Sequence, residues 1–229
     1  MARLSRLTVP GEVHQVVQRG HNRQPVFTDD TDRQAYLDAL RDAAREHRLA
    51  VHGYVLLDSE IALLATPSDA QGLSRTLQAV GRRYVAAFNR RHSRSGTLWE
   101  GRFRAAVMES ERYFLPALCQ LEAAPVDTGL VVQAADWRWS SASAHVGGVR
   151  DALLTEHPLY WALGNTPFDR EATYRRLMEQ GVPMADRRAL AEATLRSWAL
   201  GSPAYLGRLA QLTERPLAAR PRGRPKKPI

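Results

Sequence analysis

Arginine side chains that could contact phosphate are concentrated in one acid-free stretch of the sequence. No acidic residue lies between Asp69 and Glu100. Guanidinium groups present planar donor forks that match phosphate oxygens, and helical spacing would place several of them on one face, opposite an apolar face. We predict a phosphate-binding track here, with a solvated helix face as the alternative. Its members are Arg75, Arg82, Arg83, Arg90, Arg91 and Arg94. Arg102, just beyond Glu100 and outside this track, is also expected to contact DNA.

A second basic motif lies near the end of the chain, in residues 221–226 (PRGRPK). It resembles the AT-hook, in which an extended Arg-Gly-Arg lies in the minor groove of A·T-rich duplex DNA. Glycine allows close approach to the groove floor, and a narrow groove concentrates negative potential around inserted arginines. A low-complexity basic end with no fixed partner is the alternative. The residues expected to contact DNA are Arg222, Gly223, Arg224, Lys226 and Lys227.

Composition limits the class of protein to which this chain can belong. Its 229 residues carry a formal net charge of +8, and 44% of them are hydrophobic, which is enough to form a packed core. No run approaches the roughly 20 apolar residues of a membrane span. The single cysteine, Cys119, excludes internal disulfides and cysteine-clustered zinc sites. Residues 1–15 lack the apolar stretch of a secretory signal, so we expect a cytoplasmic, nucleoid-associated protein.

The nature of the excess charge favours a nucleic-acid partner. Lys226 and Lys227 are the only lysines, and every other basic residue apart from the histidines is an arginine. Arginine suits phosphate and base edges better than lysine does. A GC-rich genome would also raise the arginine content, so the placement of the charge has to decide between the two explanations.

The elements that must position these residues alternate between strands and helices. Apolar residues follow strand or helix periodicity in each segment, and turn signals separate the segments. This order predicts an α+β fold in which helices pack on an antiparallel sheet. The predicted elements are a strand over 12–18, a helix from 30 or 31 to about 47, strands over 49–57 and 61–66, a helix from 71 to about 91, a strand over 101–108 and a helix over 111–123.

The character of the sequence changes after about residue 130. Short helices are predicted over 170–178, 186–200 and 203–212. From residue 215 onward the chain is proline-rich and basic and contains no acid, so it cannot form a core. We therefore predict three parts: a domain over residues 1–130, a helical extension over 131–214 and a disordered basic tail over 215–229.

Several stretches together resemble one family. The most specific are residues 89–91 (NRR) and 96–103 (GTLWEGRF), supported by residues 1–27, by residues 54–67 and by Trp-Arg-Trp-Ser-Ser at 137–141. The chain thereby resembles the REP-associated tyrosine transposases, relatives of the single-tyrosine insertion-sequence transposases in the HUH endonuclease superfamily. The resemblance implies an HUH, ferredoxin-like antiparallel sheet with packed helices, followed here by a small helical extension.

The resemblance also implies a reaction. In the family, two histidines separated by one apolar residue on a strand hold a divalent metal, and alternation along the strand lets both side chains reach the same ion. A tyrosine on a nearby helix attacks the phosphate and forms a covalent 5′-phosphotyrosine. The bond energy is thereby kept for rejoining the strands.

This chain departs from the family pattern at the positions that carry the chemistry. The two histidine positions are occupied by Glu60 and Ala62, within the stretch SEIALL. The nucleophile position is Gln120, whose amide cannot attack phosphorus, and the family's asparagine position is Ala124. Gln15 stands where the family often has another histidine. These substitutions predict loss of cleavage.

Substitute residues provide an alternative. Asp58 and Glu60 could form a weak carboxylate site for Mg²⁺, and Glu122 survives on the third helix. Tyr113 or Tyr84 could replace the nucleophile, although core packing explains Tyr84 better.

Three functions follow from these patterns. The first, which we favour, is a catalytically inactive transposase relative that needs no cofactor and binds hairpin or single-stranded repeat DNA, with the tail on A·T-rich duplex. The second is an active transposase or nickase that uses Mg²⁺ or Mn²⁺ and the substitute residues. The third is a remnant or protein-interaction module in which DNA binding is incidental. The oligomeric state stays open.

Overall fold

A four-stranded antiparallel sheet organises residues 6–218, which are the residues that the computed structural model describes. The strands are β1 (Val13–Arg19), β2 (Leu49–Leu57), β3 (Glu60–Pro67) and β4 (Arg104–Met108), and they lie in the order β2-β3-β1-β4. In the register, Ala62 lies opposite both Val17 and Val55, and Val17 lies opposite Arg104. Since side chains alternate along a strand, these four residues and Glu60 share one face of the sheet.

Helices cover both faces of this sheet. The helices are α1 (Asp30–Glu46), α2 (Gly72–Arg91), α3 (Ser110–Asp127), α4 (Ala142–His145), α5 (Pro158–Trp161), α6 (Pro167–Gln180), α7 (Met184–Arg196) and α8 (Pro203–Leu212). Helices α1 and α2 pack on one face, and α3, α6 and α7 lie on the other. This arrangement confirms the predicted α+β class and the order of its elements.

Some element boundaries differ from the prediction. Strand β4 begins at Arg104 because the residues before it form a loop, in which Gly101 has a φ of 156°. Helix α3 continues to Asp127, with Pro116 and Pro125 inside it. Helix α7 ends at Arg196 because Ser197 adopts a left-handed conformation, with φ 56° and ψ 47°.

The first core lies between the sheet and helices α1 and α2. Leu56, Ile61 and Leu63 from the sheet are fully buried against the apolar faces of both helices. An aromatic cluster closes one end of this core, with adjacent ring centroids 5.2 to 6.4 Å apart, a spacing at which edge-on and tilted contacts are favourable. Its members are Phe27, Tyr36, Tyr84, Phe88 and Trp99.

Segments after residue 130 complete the sheet at both edges. On the β2 edge, Leu56 donates its N–H to the carbonyl of Trp139 at 2.9 Å, and Thr155 donates to the carbonyl of Val51 at 2.7 Å. On the β4 edge, Leu200 donates to the carbonyl of Val107 at 2.9 Å. Edge strands otherwise expose unpaired backbone groups, so the extension covers both edges. The predicted division near residue 130 stays a prediction.

A buried carboxylate connects α3 to the extension. Glu122 is fully buried, and its oxygens accept hydrogen bonds from the hydroxyl of Ser141, from Nδ1 of His145 at 2.6 Å and from the hydroxyl of Tyr174 at 2.7 Å. Gly53 on β2 lets α3 pack close to the sheet, because a Cβ at position 53 would lie 2.4 Å from a methyl carbon of Leu118 on α3. Three segments of the chain therefore meet at one carboxylate.

The protonation of His145 follows from this contact. Burial opposes the charged imidazolium, but the charge of the Glu122 carboxylate and its hydrogen bond outweigh burial, so the pKa of His145 is raised above 6.5. The other two buried histidines behave differently. Burial lowers the pKa of both His14 and His52 to about 4, so both are neutral near pH 7.

We expect Glu122→Ala to lower the free energy of unfolding by about 3 to 5 kcal/mol, because it leaves a buried imidazolium and two hydroxyl groups without their acceptor. Urea unfolding measures the effect. The control is Glu179→Ala at an exposed position of α6, which should change stability by less than about 0.5 kcal/mol. A similar small loss for Glu122→Ala would contradict the role given to this carboxylate.

The contribution of His145 should depend on pH. Because its pKa is raised in the folded state, the stabilisation is fully present below the unfolded value of 6.5 and is lost as the pH rises through the folded value. The difference in unfolding free energy between the wild type and His145→Gln should therefore shrink as the pH rises above 6.5 and through the raised pKa of His145. His21→Gln, at an exposed position, is the control. A difference that grows with pH would show that the charged pair is not what stabilises the fold.

Candidate nucleic-acid interface

A cavity of about 200 Å³ lies on the sheet face that packs against α3. Glu60 and Ala62 line it because they alternate on β3, and Gln120 and Ala124 line it because they are one turn apart on α3. Gln15 on β1 completes this group. The structure therefore brings Glu60, Ala62, Gln120 and Ala124, the four positions to which the resemblance in sequence points, into one cavity. We call this space the β3–α3 cavity.

The donors in the β3–α3 cavity do not fit a divalent metal ion. The carboxylate of Glu60 accepts a hydrogen bond from Arg19, and Ala62 has no donor atom. Asp58 lies in the turn before β3 and pairs with Arg33 of α1, so it does not join Glu60. Within residues 6–218, no group of three or more His, Cys, Asp or Glu side chains is placed to hold a metal.

No tyrosine takes the place of the nucleophile in this cavity. Tyr113 does not line the cavity and lies two turns before Gln120, about 10 Å along the axis of α3. Tyr84 is buried in the aromatic cluster on the opposite face of the sheet, where its hydroxyl donates to the carbonyl of Val26. Burial raises the pKa of Tyr84 far above its usual value, which keeps its hydroxyl protonated.

Glu122 also faces away from the β3–α3 cavity. Positions 120 and 124 of α3 line the cavity, whereas the carboxylate of Glu122 is engaged by Ser141, His145 and Tyr174. The structure therefore does not bring Glu122 together with Glu60 or Asp58. Glu122 therefore has a structural role, since it joins α3 to the extension.

Helix α7 forms one wall of the β3–α3 cavity, which the sequence analysis did not anticipate. The hydroxyl of Thr194 donates to the side-chain oxygen of Gln15 at 3.3 Å, and Arg104 donates to the carbonyl of Leu195 at 2.6 Å. These contacts join the end of α7 to β1 and β4. The extension thus shapes the cavity as well as the sheet edges.

The arginine track on α2 is less positive than the sequence indicates. Arg75 pairs with Asp69 at 2.6 Å, Arg83 pairs with Glu46 at 3.0 Å, and Arg91 pairs with Asp29 at 2.6 Å. The hydrogen bond from Arg91 holds the pKa of the Asp29 carboxyl well below its usual value. Helix α1 thus supplies acids that the stretch between residues 69 and 100 lacks.

Three members of the track have no acidic partner within residues 6–218. Arg82 and Arg90 are exposed, and the guanidinium of Arg94 lies 5.6 Å from the ring centroid of Phe88. Because α2 covers the first core, these residues lie on the opposite side of the sheet from the β3–α3 cavity. The track and the cavity are therefore separate surfaces.

A second cavity, of about 230 Å³, adjoins the first and is lined by arginines. The two cavities share Val17, Arg19 and Arg104. Among the basic residues of this second cavity, only Arg102 was predicted from the sequence to contact DNA. The others are scattered along the chain and carry no local signal. We call this space the arginine cavity, and its basic side chains are Arg6, Arg19, Arg102, Arg104 and Arg215.

The predicted AT-hook lies outside the described residues. Arg222, Gly223, Arg224, Lys226 and Lys227 all follow residue 218, so contact of the tail with A·T-rich duplex stays a prediction. Within the described part of the chain, no helix is long and apolar enough to cross a membrane.

Comparison with known proteins identifies the fold. No protein-family model and no curated protein matches the sequence. Among solved structures, the chain is similar to a REP-associated tyrosine transposase bound to a REP hairpin, with a TM-score of 0.55 and 18% sequence identity, covering 69% of this chain and 92% of that chain. It is also similar to a candidate transposase from Deinococcus radiodurans R1, with a TM-score of 0.36 and 20% identity, covering 52% of this chain and 93% of that chain. The first likeness confirms the fold that the sequence implied.

The aromatic cluster gives a test of the role of Tyr84. We expect Tyr84→Phe to lower the free energy of unfolding by about 1 kcal/mol, because the hydroxyl loses its bond to the carbonyl of Val26. Tyr36→Phe is the matched control, because the Tyr36 hydroxyl is buried and has no hydrogen-bond partner within residues 6–218. Its removal should be neutral or stabilising. Chemical denaturation compares them, and an equal or larger loss for Tyr36→Phe would contradict this assignment.

Proposed function

We propose that this chain belongs to the REP-associated tyrosine transposase family, binds folded single-stranded DNA and does not cleave it. The observation that carries the proposal is the β3–α3 cavity. It brings together Glu60, Ala62, Gln120 and Ala124, which occupy the positions of the family's catalytic residues, and together they supply neither two paired metal donors nor a nucleophile.

The chemistry of the side chains in the β3–α3 cavity does not support cleavage. A shared metal needs two donors on one face of the strand, and Ala62 supplies none, while Glu60 is held by Arg19. Covalent catalysis needs a nucleophile that can be activated. Gln120 has only an amide, and Tyr84 and Tyr113 lie outside the cavity. We therefore assign no metal cofactor to this protein.

Charge and fold both support DNA binding. Exposed Arg82 and Arg90 on one side of the sheet and the arginine cavity on the other offer guanidinium groups to phosphate. The solved transposase of similar fold is bound to a REP hairpin, so we propose a DNA hairpin with a single-stranded flank as the ligand. The tail would contact neighbouring A·T-rich duplex, and the protein would associate with the nucleoid in the cytoplasm.

One experiment tests both parts of the proposal. Labelled, denatured genomic fragments are incubated with the protein and with Mg²⁺ or Mn²⁺, then divided between a native gel and a denaturing gel. We expect retention of the fragments on the native gel and no label on the protein after denaturation. Label that survives denaturation would establish an active transposase or nickase acting through substitute residues, and mapping would identify the attacking residue. No retention on the native gel would overturn the DNA-binding part.

The salt dependence of binding tests whether particular arginines, and not net charge alone, contact the DNA. The double variant Arg82→Gln and Arg90→Gln should reduce the slope of log K against log salt by about 0.7 for each lost single-strand phosphate contact. Arg75→Gln with Arg83→Gln removes the same charge from the same helix, but both arginines already pair with acids. The paired arginines should change the slope less. Equal changes for the two double variants would mean that net charge alone drives binding.

A further inference from the structure

The arginine cavity has the composition of an anion site. It lies where β1 ends and β4 begins, beside the loop over 100–103, and residues 197 and 215 close it on the side of the extension. Its wall carries five guanidinium groups, with Glu100 as the single carboxylate in the lining. One of the five, Arg19, already pairs with Glu60 in the β3–α3 cavity. Arg102, Arg104 and Arg215 form no ion pair within residues 6–218, so the lining keeps an excess of positive charge.

Two of these arginines, Arg104 and Arg215, are held in place by backbone carbonyl groups, which do not neutralise them. Arg104 donates to the carbonyl of Leu195 at 2.6 Å, and Arg215 donates to the carbonyl of Ser197 at 3.0 Å. The guanidinium of Arg6 lies 3.9 Å from the ring centroid of Phe103. Carbonyl groups and aromatic rings position a guanidinium without cancelling its charge. The groups are therefore fixed before a ligand arrives.

Arg215 has unused hydrogen-bonding capacity. Its Nε and one terminal nitrogen, Nη1, are buried and have no hydrogen-bond partner within residues 6–218. Burial, and then the charge of Arg102, lowers the pKa of Arg215. Buried donors without acceptors are rare in folded proteins, and such a group calls for a partner. Arg102 itself is exposed and has no ion pair within the same residues.

The position of the cavity indicates which anion it takes. Through Val17, Arg19 and Arg104 it shares a wall with the β3–α3 cavity, where the side-chain oxygen of Gln120 is buried and has no hydrogen-bond partner among the described residues. A DNA strand that places a phosphate in the arginine cavity has its adjoining nucleotide against the β3–α3 cavity. A free phosphate ion would use only the arginine cavity.

We propose that the arginine cavity binds one backbone phosphate of the single-stranded DNA flank and places the adjoining nucleotide over the β3–α3 cavity. This inference rests on the proposed function and makes it more specific. Several guanidinium groups converge on a single phosphate, so one position of the flank should account for the whole contribution of the cavity. The cavity is thus a positioning site for the strand on the face that lacks catalytic residues.

The test is a scan of single phosphates. A hairpin oligonucleotide with a single-stranded flank is selected by the wild-type protein from a pool with randomised stems and with randomised flanks on either side. Each flank phosphate is then replaced in turn by an uncharged methylphosphonate. We expect one replacement to weaken wild-type binding by at least about tenfold, the effect of losing a charge-assisted hydrogen bond. In Arg102→Gln with Arg215→Gln, the same replacement should weaken binding clearly less than it does in the wild type, because two of the guanidinium groups that contact that phosphate are already absent.

The matched control is Arg150→Gln with Arg176→Gln, which removes the same charge from exposed positions in the extension, outside the lining of both cavities. It should keep the wild-type sensitivity at that phosphate. Thermal unfolding verifies that each variant is folded. If the double variant does not fold, Arg102→Gln alone carries the test, because that side chain is exposed, and it should reduce the sensitivity to the same replacement.

The outcomes separate this inference from the proposed function. If the wild type selects no hairpin, the proposed function fails and the inference falls with it. If the wild type binds but the cavity variant retains the full scan profile, the inference alone is overturned. Competition by inorganic phosphate at equal ionic strength, with no sensitive position in the flank, would mean that the cavity binds a free ion and would also overturn the inference.

Discussion

The buried carboxylate of Glu122 constrains much of the structure around it. A carboxylate without access to water must be fully hydrogen-bonded, and here the donors come from Ser141, from His145 and from Tyr174 on α6. Helix α3 therefore cannot rotate, since one side must meet these donors. The same constraint directs positions 120 and 124 toward the sheet, where they line the β3–α3 cavity. The geometry of the cavity is a consequence of how α3 is held.

The extension continues this arrangement on the same face of the sheet. Helix α7 contacts β1 and β4 through Thr194 and Leu195, and Ser197, just after its end, accepts a hydrogen bond from Arg215. The walls of both cavities thus combine residues from the sheet with residues from after 190. A boundary drawn near residue 130 from composition alone separates parts of the chain that together form these sites.

The sequence could predict those features that depend on local periodicity. Glu60 and Ala62 are two residues apart on a strand, and Gln120 and Ala124 are one turn apart on a helix, so local periodicity is enough to place each pair on one face. Features that depend on distant segments could not be obtained in this way. The acids that pair with Arg83 and Arg91, Glu46 on α1 and its N-cap residue Asp29, lie more than 35 residues earlier in the chain. The arginines of the second cavity extend from residue 6 to residue 215, so only the fold reveals that they converge.

The two cavities also explain how binding and cleavage can separate physically. Phosphate binding is a sum over many charges, so it persists when a single donor is lost. Cleavage depends on a few groups held at one point, and removing one of them removes most of the rate. Under the proposed function, Ala62 and Gln120 lie at that point, whereas the arginine cavity adjoins it through a shared wall. Under the proposed function, substitutions at the centre of the site abolish the chemistry while the positive charge beside it continues to position the strand.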